Sequence, residues 1–431
     1  MKKRKEIAIL MSAAMVFGMT ACGSSEVPAS SAPAEPVSSA ETEEASAKET
    51  VSEEKSVLNF YVHSDNEKIA EEWVSAYNEA QDEVEVKLSV ITNDDYDDKI
   101  KVMLSGGADV DVFWVRTADQ ARQMAQGGAI LPLDNMMEAN EVDYSVYGPM
   151  GDAFVVEDQT YALCGKKSCW LLWYNKTLFD EAGLEVPVDM TWDEYADLCA
   201  QLSTDGKRGG LAVNWILNTG AAAAGEYLTD ENLTKTKEYI QFLNRIYNED
   251  QSNMSLEEMS GSFDVNAVFA EGETYMMLNG DWTFLLFPDS NPEFEWGAVP
   301  LPHFEDVPVN TTVGNTDGYA INANCKNPEA AFDFLKYIAY SDEGASIQAK
   351  YATIPAFPSD EAIEVYKQQV SVPGTEYVFD AIVHSEDGNE PYYSELKDAF
   401  RSEITEYLIG SCSMDEAFEN YKGRKDEIMN K

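Results

Sequence analysis

The segment Trp173–Tyr195, WYNKTLFDEAGLEVPVDMTWDEY, is the most informative part of the sequence. It predicts the end of a strand, a short helix, a loop marked by proline and the start of a second helix. Thr191 is the expected N-cap of that second helix, and Glu194 is the residue that completes a capping box, T-W-D-E. The residues themselves predict this local geometry, and the rest of the chain supplies its context.

Composition indicates a large acidic protein with enough apolar residues for more than one core. The chain has 431 residues, of which 44% are hydrophobic, and two domains are expected. Its 78 acidic and 30 basic residues give a formal net charge of −48. This charge repels nucleic acid and anionic lipid, and it disfavours a polyanionic ligand unless a local basic pocket overrides it.

The N-terminal residues have the pattern of a secretory signal. Basic residues precede an apolar run from Ile7 to Met19, which is too short to be a stable transmembrane helix. The run ends in the sequence MTAC at residues 19–22, which resembles a bacterial lipobox. We therefore expect a signal peptide at residues 1–21 and lipidation of Cys22 after cleavage. The alternative is an ordinary signal sequence with an incidental cysteine.

The residues after Cys22 predict a disordered tether. Up to about residue 55 the chain is rich in Ser, Ala, Glu, Pro and Thr and has few large apolar residues. Such a composition does not offset the entropy that ordering the chain would cost. Residues 22–55 are therefore interpreted as a lipidated cysteine and its tether.

The remaining cysteines leave their pairing open. They are Cys164, Cys169, Cys199, Cys325 and Cys412, and an odd number cannot all pair within one chain. Their spacing does not indicate a zinc site. Cys164 and Cys169 are close enough in sequence to form a disulfide, and buried free thiols are an equally good interpretation.

An alternation of strand and helix patterns begins at Val57. Strands are predicted at Val57–Val62, over the alternating Val84 to Val90, and at Val110–Trp114. The intervening helices are marked by the apolar stripes Ile69, Trp73, Tyr77 and Tyr96, Ile100, Met103, Leu104. This alternation predicts a parallel sheet with right-handed crossovers.

Ligands on such sheets bind beyond the carboxyl ends of the strands, and two loops lie there. One carries His63, Asp65 and Asn66, and the other carries Trp114 and Arg116. Both loops mix aromatic and polar side chains, as a wet, aromatic cleft requires. Asp65 or Asn66 could instead cap the following helix, and Trp114 could pack in the core rather than stack on a ligand.

A second distinctive segment is FAEGETYMMLNGDW at residues 269–282. It predicts a buried strand at Met276–Leu278 and a tight turn from which Trp282 emerges. An indole face offers a flat apolar surface, and the neighbouring Asn279 and Asp281 offer hydrogen-bonding groups. The alternative is that Trp282 is a core residue.

These segments resemble the bacterial extracellular solute-binding proteins of the sugar-binding type. The phrase YNKTLF at residues 174–179 and the NGDW turn at 279–282 carry the resemblance, and the order of segments extends it from about residue 56 to the C-terminus. It implies an α/β, two-lobed periplasmic-binding-protein fold of type II. Each lobe would be a mostly parallel sheet flanked by helices, and hinge crossings would join the lobes. The implied lobes are 56–167 plus 300–345 and 168–299 plus 346–431.

The resemblance also implies where the lobes connect and which residues contact the ligand. The first crossing is expected at Lys166–Trp170 and the second at Trp296–Pro302, with the return to the first lobe through Gly314–Ile321. A strand of the second lobe is expected at Leu211–Trp215. The implied ligand contacts are His63, Asp65, Asn66, Trp114, Arg116, Ser168, Trp170, Asn214, Trp215, Asn279, Asp281, Trp282, Asn315, Asp317, Gly318 and Arg401.

The motifs of common enzyme classes are not found in the sequence. It contains no G-x-S-x-G, H-E-x-x-H, P-loop or G-x-G-x-x-G pattern, and its three histidines are far apart. A glycosidase needs two carboxylates, but 78 acidic residues supply such pairs by chance. The acidic run Asp94–Asp98 lacks EF-hand spacing and predicts a solvated loop and helix cap. No metal or cofactor is implied.

The sequence therefore predicts a lipid-tethered receptor of an ABC importer on the extracellular face of the bacterial cytoplasmic membrane. A sugar or oligosaccharide would be trapped between the lobes by hinge closure and passed to the transmembrane permease subunits. The protein is expected to be a monomer, to touch the membrane only through its lipid and to bind no nucleic acid. The alternatives are a lipid-anchored glycoside hydrolase, a receptor for a non-sugar solute, and an adhesive surface lipoprotein.

Overall fold

The alternation predicted after Val57 is confirmed. The computed structural model describes residues 55–213, 215, 217–259, 263–388, 390 and 392–430. The predicted signal peptide, Cys22, the tether up to residue 54, and Asn214 lie outside the described residues. The strands are β1 (Ser56–His63), β2 (Val84–Ile91), β3 (Val112–Val115), β4 (Val155–Val156), β5 (Gln159–Thr160), β6 (Leu163–Lys167), β7 (Trp170–Asn175), β8 (Arg208–Ala212), β9 (Thr274–Gly280), β10 (Trp296–Val299), β11 (Thr311–Gly314), β12 (Thr316–Ile321) and β13 (Ile382–Ser385).

Helices flank these strands along the whole described chain. They are α1 (Glu67–Ala80), α2 (Asn93–Ser105), α3 (Ala118–Gln126), α4 (Asp134–Ala139), α5 (Lys176–Ala182), α6 (Trp192–Leu202), α7 (Thr219–Ala223), α8 (Thr234–Asn244), α9 (Val265–Ala270), α10 (Thr283–Leu286), α11 (Pro328–Ala339), α12 (Asp342–Lys350), α13 (Asp360–Gln369), α14 (Tyr377–Asp380), α15 (Tyr393–Leu408) and α16 (Met414–Met429). The 3₁₀ segments include Ser64–Asn66 and Tyr144–Phe154. None of the helices described is both long and apolar enough to cross a lipid bilayer.

The first sheet has the strand order β2-β1-β3-β12-β6. Strand β1 is parallel to β2 and to β3, as the alternation predicts. Strand β12 is antiparallel to both β3 and β6, so the sheet is mixed rather than mostly parallel. The chain connects the parallel strands β1, β2 and β3 through the crossover helices α1 and α2. Strand β12 has no such connection to its neighbours, because it follows β11, which lies outside this sheet.

The helices beside the first sheet bury the apolar stripes that the sequence predicts. In α1, Ile69, Trp73 and Tyr77 are buried. Two of these side chains also bond to later helices, because Trp73 Nε1 donates to the Gly344 carbonyl and Tyr77 Oη donates to the Asp333 carboxylate, each at 2.9 Å. Burial of the stripe therefore joins α1 to α11 and α12.

The second sheet has the strand order β10-β7-β9-β8. Only β8 and β9 are parallel in it, and the connection between them contains the helices α7, α8 and α9. Strand β7 is antiparallel to both β9 and β10, so this sheet too is mixed. All residues of β9 are buried, as predicted for Met276–Leu278. Strand β8 covers Arg208–Ala212, earlier in the chain than the predicted Leu211–Trp215.

The segment Trp173–Tyr195 has the predicted geometry throughout. Asn175 ends β7 and caps α5 by accepting a hydrogen bond from the Leu178 amide at 3.0 Å. Helix α6 begins with the predicted capping box, in which the Glu194 carboxylate accepts from the Thr191 amide at 2.8 Å and the Thr191 hydroxyl accepts from the Glu194 amide at 3.3 Å.

The chain passes between the sheets twice at neighbouring positions. Ser168 and Cys169 join β6 of the first sheet to β7 of the second, as predicted. The return to the first sheet takes place around Asn315, between β12 and β11, which pairs with β13 in a separate two-stranded sheet. The Ser168 amide donates to the Asn315 carbonyl at 2.9 Å. The predicted second crossing at Trp296–Pro302 is therefore too early, because β10 belongs to the second sheet and the His303 carbonyl still accepts from the Trp192 amide.

A third segment accompanies these two passages. The Ile354 carbonyl accepts from the Lys167 amide at 3.0 Å, and the Ala356 amide donates to the Gly165 carbonyl at 3.1 Å. Beyond this segment, β13 pairs in parallel with β11 beside the second passage. Three backbone segments thus run side by side where the sheets connect, and the described residues from Lys55 onward form one compact unit. The predicted lobe boundaries stay a prediction.

Candidate functional site

An aromatic pair ends two adjacent strands of the first sheet. The rings of His63 and Trp114 lie 4.0 Å apart between their centres, and the Trp114 indole is only 3% exposed. The Arg116 guanidinium carbon lies 4.7 Å from the centre of the Trp114 ring. Tyr96 holds the strand from behind by donating to the Trp114 carbonyl at 2.9 Å. The ring of Trp114 is therefore covered by protein, and ligand contact by this residue stays a prediction.

His63 is a buried neutral base in this environment. Burial lowers the pKa of His63 to about 4, although the nearby carboxylates of Asp65 and Asp317 act in the opposite direction; Lys166 and Arg116 add to the lowering. The nearest carboxylate oxygen, on Asp65, lies 3.8 Å from Nδ1, and neither ring nitrogen has a hydrogen-bond partner within the described part of the chain.

Polar side chains form the rim beside this pair. Asp65 is exposed and accepts from the Asn93 carboxamide at 2.7 Å. Arg116 donates to Asp97 at 2.9 Å and to the Asn93 carboxamide oxygen at 2.7 Å. Asn66 occupies the N-cap position of α1 but makes no capping bond through its side chain. The acidic run Asp94–Asp98 lies within α2 and contributes to this rim through Asp97.

Three tryptophans form a cluster on the second sheet, which we call the tryptophan cluster: Trp170, Trp215 and Trp282. Trp170 is 1% exposed, and the other two are partly exposed. The Trp170 ring centre lies 6.2 Å from that of Trp215 and 5.7 Å from that of Trp282, which meets it edge-on at 85°. Trp170 therefore supports the two indoles that reach the surface.

Gly280 leaves the space that the Trp282 ring occupies. A side-chain carbon at Gly280 would lie 2.0 Å from the Trp282 ring, so the indole lies directly across the end of β9. This close approach is the physical role of the glycine in the NGDW turn. The arrangement brings Trp282 out at the strand end, as the sequence predicts.

Carboxylates lie where the two passages meet. The Asp281 carboxylate accepts from the Cys169 amide at 3.0 Å, and burial raises its pKa while hydrogen bonds from Ser168 and Cys169 oppose this. Asp317 is buried and accepts from the Lys166 amide at 3.1 Å, with the Lys166 ammonium at 3.5 Å. Asp281 thus adjoins Trp282 of the tryptophan cluster, whereas Asp317 lies in β12 of the first sheet.

Three residues predicted to contact the ligand instead pack against or bond to other parts of the protein. Asn279 is fully buried in β9 and donates through its carboxamide to Asn266 at 3.3 Å. Gly318 lies in β12, where Phe154 leaves no room for a side chain. Arg401, in α15, donates to the Trp215 carbonyl and so supports the backbone of the cluster. Ligand contact by these residues remains untested.

Glu386 was not predicted, although it touches two predicted residues. It follows β13, and its carboxylate accepts from Trp170 Nε1 at 2.5 Å and from Asn315 Nδ2 at 2.9 Å. Burial raises its pKa, whereas the hydrogen bonds from Trp170 and Asn315 act in the opposite direction. The signal that could have found it is its place just after a strand, but no pattern in the sequence indicated β13.

The cysteines in the described chain are free thiols. Cys164, Cys169 and Cys199 are buried, and burial raises the pKa of Cys164 to about 12. Cys325 and Cys412 are partly exposed and also free. No group of three or more His, Cys, Asp or Glu side chains in the described ranges is arranged to hold a metal ion. The candidate site thus presents aromatic faces and hydrogen-bonding groups.

Comparison with known proteins places this arrangement in a family. The model of the bacterial extracellular solute-binding proteins matches residues 63–345, well over half of the chain. The multiple sugar-binding protein of Streptococcus mutans is 31% identical over 191 residues, which are 39% of this chain and 44% of that protein. The aligned part thus spans less than half of that relative.

Two solved structures have the same fold at low sequence identity. A sugar transporter from Rhizobium etli, in an open conformation, matches with a TM-score of 0.79 at 22% identity and covers 86% of this chain and 99% of its own. An ABC substrate-binding protein from Listeria monocytogenes, in complex with cycloalternan, matches with a TM-score of 0.66 at 22% identity and covers 87% and 98%. These likenesses confirm the two-lobed α/β fold of type II.

Proposed function

The chain belongs to the bacterial extracellular solute-binding protein family, and from this premise we propose that it is the substrate-binding lipoprotein of an ABC importer for a sugar or oligosaccharide. The observation that carries the proposal is the tryptophan cluster beside the hydrogen-bonding groups of the two passages. Partly exposed indoles provide flat apolar surfaces for sugar rings, and carboxylates and carboxamides accept or donate to hydroxyls.

The three adjacent backbone segments support a hinge mechanism. Short connections of this kind absorb the rotation when two lobes close on a ligand. In the proposed cycle the sugar first stacks on the second lobe, the first lobe closes over it, and the closed form docks on the permease. The lobes predicted from the sequence, 56–167 plus 300–345 and 168–299 plus 346–431, are kept in this proposal with one change. Residues 300–314 are assigned to the second lobe, because the passage to the first sheet lies at Asn315. The protein acts as a monomer and as a receptor without enzymatic activity.

Two relatives support a sugar as the ligand. The Streptococcus mutans protein is named for sugar binding, and the Listeria monocytogenes protein is in complex with cycloalternan. The acidic charge of −48 is consistent with a neutral ligand rather than a polyanion.

A thermal-shift screen of purified protein tests the sugar proposal. The panel contains monosaccharides, disaccharides and longer neutral glycans, with peptides and polyamines as non-sugar arms. A ligand present at 100 times its Kd stabilises the folded state by about 2.7 kcal/mol, which is a clear shift. Stabilisation by a peptide or polyamine and by no glycan would overturn the proposal, and product release from a labelled glycan would favour a glycoside hydrolase.

Small-angle X-ray scattering then separates a receptor from an adhesive lipoprotein. Hinge closure reduces the radius of gyration when the ligand identified by the screen is added. An unchanged radius at saturating ligand would contradict closure.

Lipid anchoring is tested by replacing Cys22. Metabolic labelling with a fatty acid is expected to mark the wild-type protein, and Cys22→Ser is expected to release the protein from the membrane fraction into the medium. An unlabelled wild-type protein in the medium would favour the ordinary signal sequence.

A further inference from the structure

Glu386 connects the tryptophan cluster to the passage between the sheets. One carboxylate oxygen accepts from Trp170 Nε1 at 2.5 Å, and the other accepts from Asn315 Nδ2 at 2.9 Å. The backbone of Glu386 is fixed as well, because its amide donates to the Gly314 carbonyl at 3.0 Å. The residue is thus held at three points, two of which belong to the second passage.

The two partners have different tasks. Trp170 supports Trp215 and Trp282, the indoles that the proposed function assigns to sugar stacking. Asn315 lies at the second passage, and its carbonyl accepts from Ser168 of the first. A single carboxylate therefore bonds to the residue that supports the stacking surface and to the residue at which the two passages meet.

Breaking this connection leaves a buried donor without an acceptor. Trp170 is 1% exposed, so water does not readily replace Glu386 at Nε1. An unpaired buried donor is unfavourable, and the indole is expected to rotate toward another acceptor. The edge-on contact with Trp282 depends on the orientation of Trp170, so the stacking surface would move with it.

We propose that Glu386 is a positioning residue that holds the tryptophan cluster in register with the passage at Asn315, and thereby couples sugar stacking to lobe closure. The inference rests on the proposed function and goes beyond it by naming the residue that joins the two events. Glu386 acts through Trp170 and Asn315 rather than by contact with the sugar.

Burial raises the pKa of Glu386, and Lys397 opposes this rise only as a nearby charge. Both hydrogen bonds to the Glu386 carboxylate come from the neutral donors Trp170 and Asn315. The Lys397 ammonium pairs with Asp387, the residue that follows Glu386, at 2.5 Å. Asp387→Asn therefore provides a matched control, because it changes the charge one residue away and leaves both hydrogen bonds of Glu386 in place.

The experiment compares Glu386→Ala, Glu386→Gln and Asp387→Asn with the wild type, using the tightest neutral glycan from the screen. Calorimetry measures the Kd, and X-ray scattering measures closure as the decrease in the radius of gyration when the glycan is added. The ligand-induced change in tryptophan fluorescence measures the response of the tryptophan cluster. Glu386→Ala is expected to weaken binding at least tenfold, to reduce closure and to alter the fluorescence change. Asp387→Asn is expected to bind within about twofold of the wild type, since surface charge changes have small effects.

Glu386→Gln separates positioning from direct contact. Its carboxamide oxygen accepts from Trp170, and its amide donates to the Asn315 carboxamide oxygen once that group flips, so most of the affinity and the closure are expected to return. A Glu386→Gln protein as weak as Glu386→Ala would instead assign the negative charge to ligand contact and overturn positioning. If Glu386 only stabilises the fold, Glu386→Ala will lower the melting temperature without changing the Kd or the fluorescence change. That result would also overturn the positioning role.

Further variants keep the test decisive if Glu386→Ala does not fold. Asn315→Ala removes one arm, and is expected to reduce closure more than the fluorescence response of the cluster; equal closure to the wild type would contradict the coupling. If the wild-type protein binds no glycan, the inference falls together with the proposed function. If the wild type binds and Glu386→Ala binds equally well, only the inference falls.

Discussion

The two aromatic groups of the candidate site, one at each principal sheet, differ in what they leave open to a ligand. His63 and Trp114 of the first sheet are 4% and 3% exposed and cover each other, so the accessible groups beside them are polar. In the tryptophan cluster the buried ring, Trp170, lies behind two partly exposed ones. We infer that the second sheet supplies the stacking surface and the first sheet supplies polar recognition.

Local geometry explains this difference. Strands β1 and β3 are parallel neighbours, so rings at their carboxyl ends lie side by side and pack on each other. Trp282 instead follows the end of β9, and Gly280 leaves the space in which its indole lies flat. Similar residue types at strand ends thus form a closed pair in one place and an open surface in the other.

The largest expected effect is on the free energy of unfolding, and it comes from His63 in the buried pair with Trp114. Burial lowers the pKa of His63 from 6.5 to about 4. Between these values the unfolded chain takes up a proton that the folded chain does not, so the free energy of unfolding decreases as the pH falls. The stability that His63 contributes as a neutral group is fully present above pH 6.5 and is lost below about pH 4. The corresponding decrease in the free energy of unfolding is at most about 3 kcal/mol.

His63→Phe isolates this contribution, because phenylalanine keeps an aromatic ring beside Trp114 and does not titrate. Urea unfolding of the two proteins at steps between pH 7 and pH 4 is expected to show the wild type losing stability relative to the variant. A difference that is independent of pH would mean that His63 is accessible and titrates normally. That result would contradict the burial of the His63–Trp114 pair, and with it the contrast to the partly exposed tryptophan cluster.

Trp282→Ala is expected to have the largest effect on ligand affinity. It removes one of the two exposed indoles, and the loss of a central aromatic contact weakens binding by about 2 kcal/mol, or about 30-fold in Kd by calorimetry. Trp296→Phe is the control, because Trp296 packs on Trp173 and Phe287 in the second sheet. Unchanged affinity in Trp282→Ala would contradict the assignment of stacking to the second sheet.

The parts of the fold that could be predicted are those that depend on nearby residues. The strands and helices from Val57 to Trp114 follow from apolar periodicity, and the capping box of Thr191 and Glu194 follows from a four-residue pattern. Such signals act over one or two turns of chain, where sequence spacing translates directly into geometry. The resemblance to a family then supplied the two-lobed arrangement.

The features that could not be predicted depend on contacts between distant segments. The antiparallel entry of β12 beside β3, and the passage at Asn315, are set by pairing across the fold and leave no local pattern. The burial of Trp114 follows from its contacts with His63 and Arg116. Glu386 was missed for the same reason, since its two partners come from β7 and from the second passage.

Gly280→Ala tests the stacking surface without removing an aromatic ring. The added carbon would meet the Trp282 ring at 2.0 Å, so the indole must move away from the end of β9. We expect affinity to fall about tenfold, equivalent to about 1.4 kcal/mol, together with a smaller ligand-induced fluorescence change. Gly423→Ala in α16 is the control, because nothing lies within 4 Å of the added carbon, and it is expected to retain wild-type affinity. An equal response in both variants would show that the position of Trp282 does not matter.

The smallest effect is expected for the polar side of the cleft. Asp65 is exposed and bonded to Asn93, so Asp65→Ala removes a hydrogen-bonding group without opening a cavity. One hydrogen bond to a sugar hydroxyl contributes about 1 kcal/mol net, which corresponds to about a fivefold increase in Kd by calorimetry. Asp82→Ala provides the control, since Asp82 is an exposed carboxylate after α1 that pairs with Lys55. A loss for Asp65→Ala as large as that for Trp282→Ala would contradict the division of labour, because it would make the first sheet an equal source of binding energy. A loss confined to glycans that keep a particular hydroxyl would sharpen the division, because it would identify the first sheet as the side that distinguishes one sugar from another.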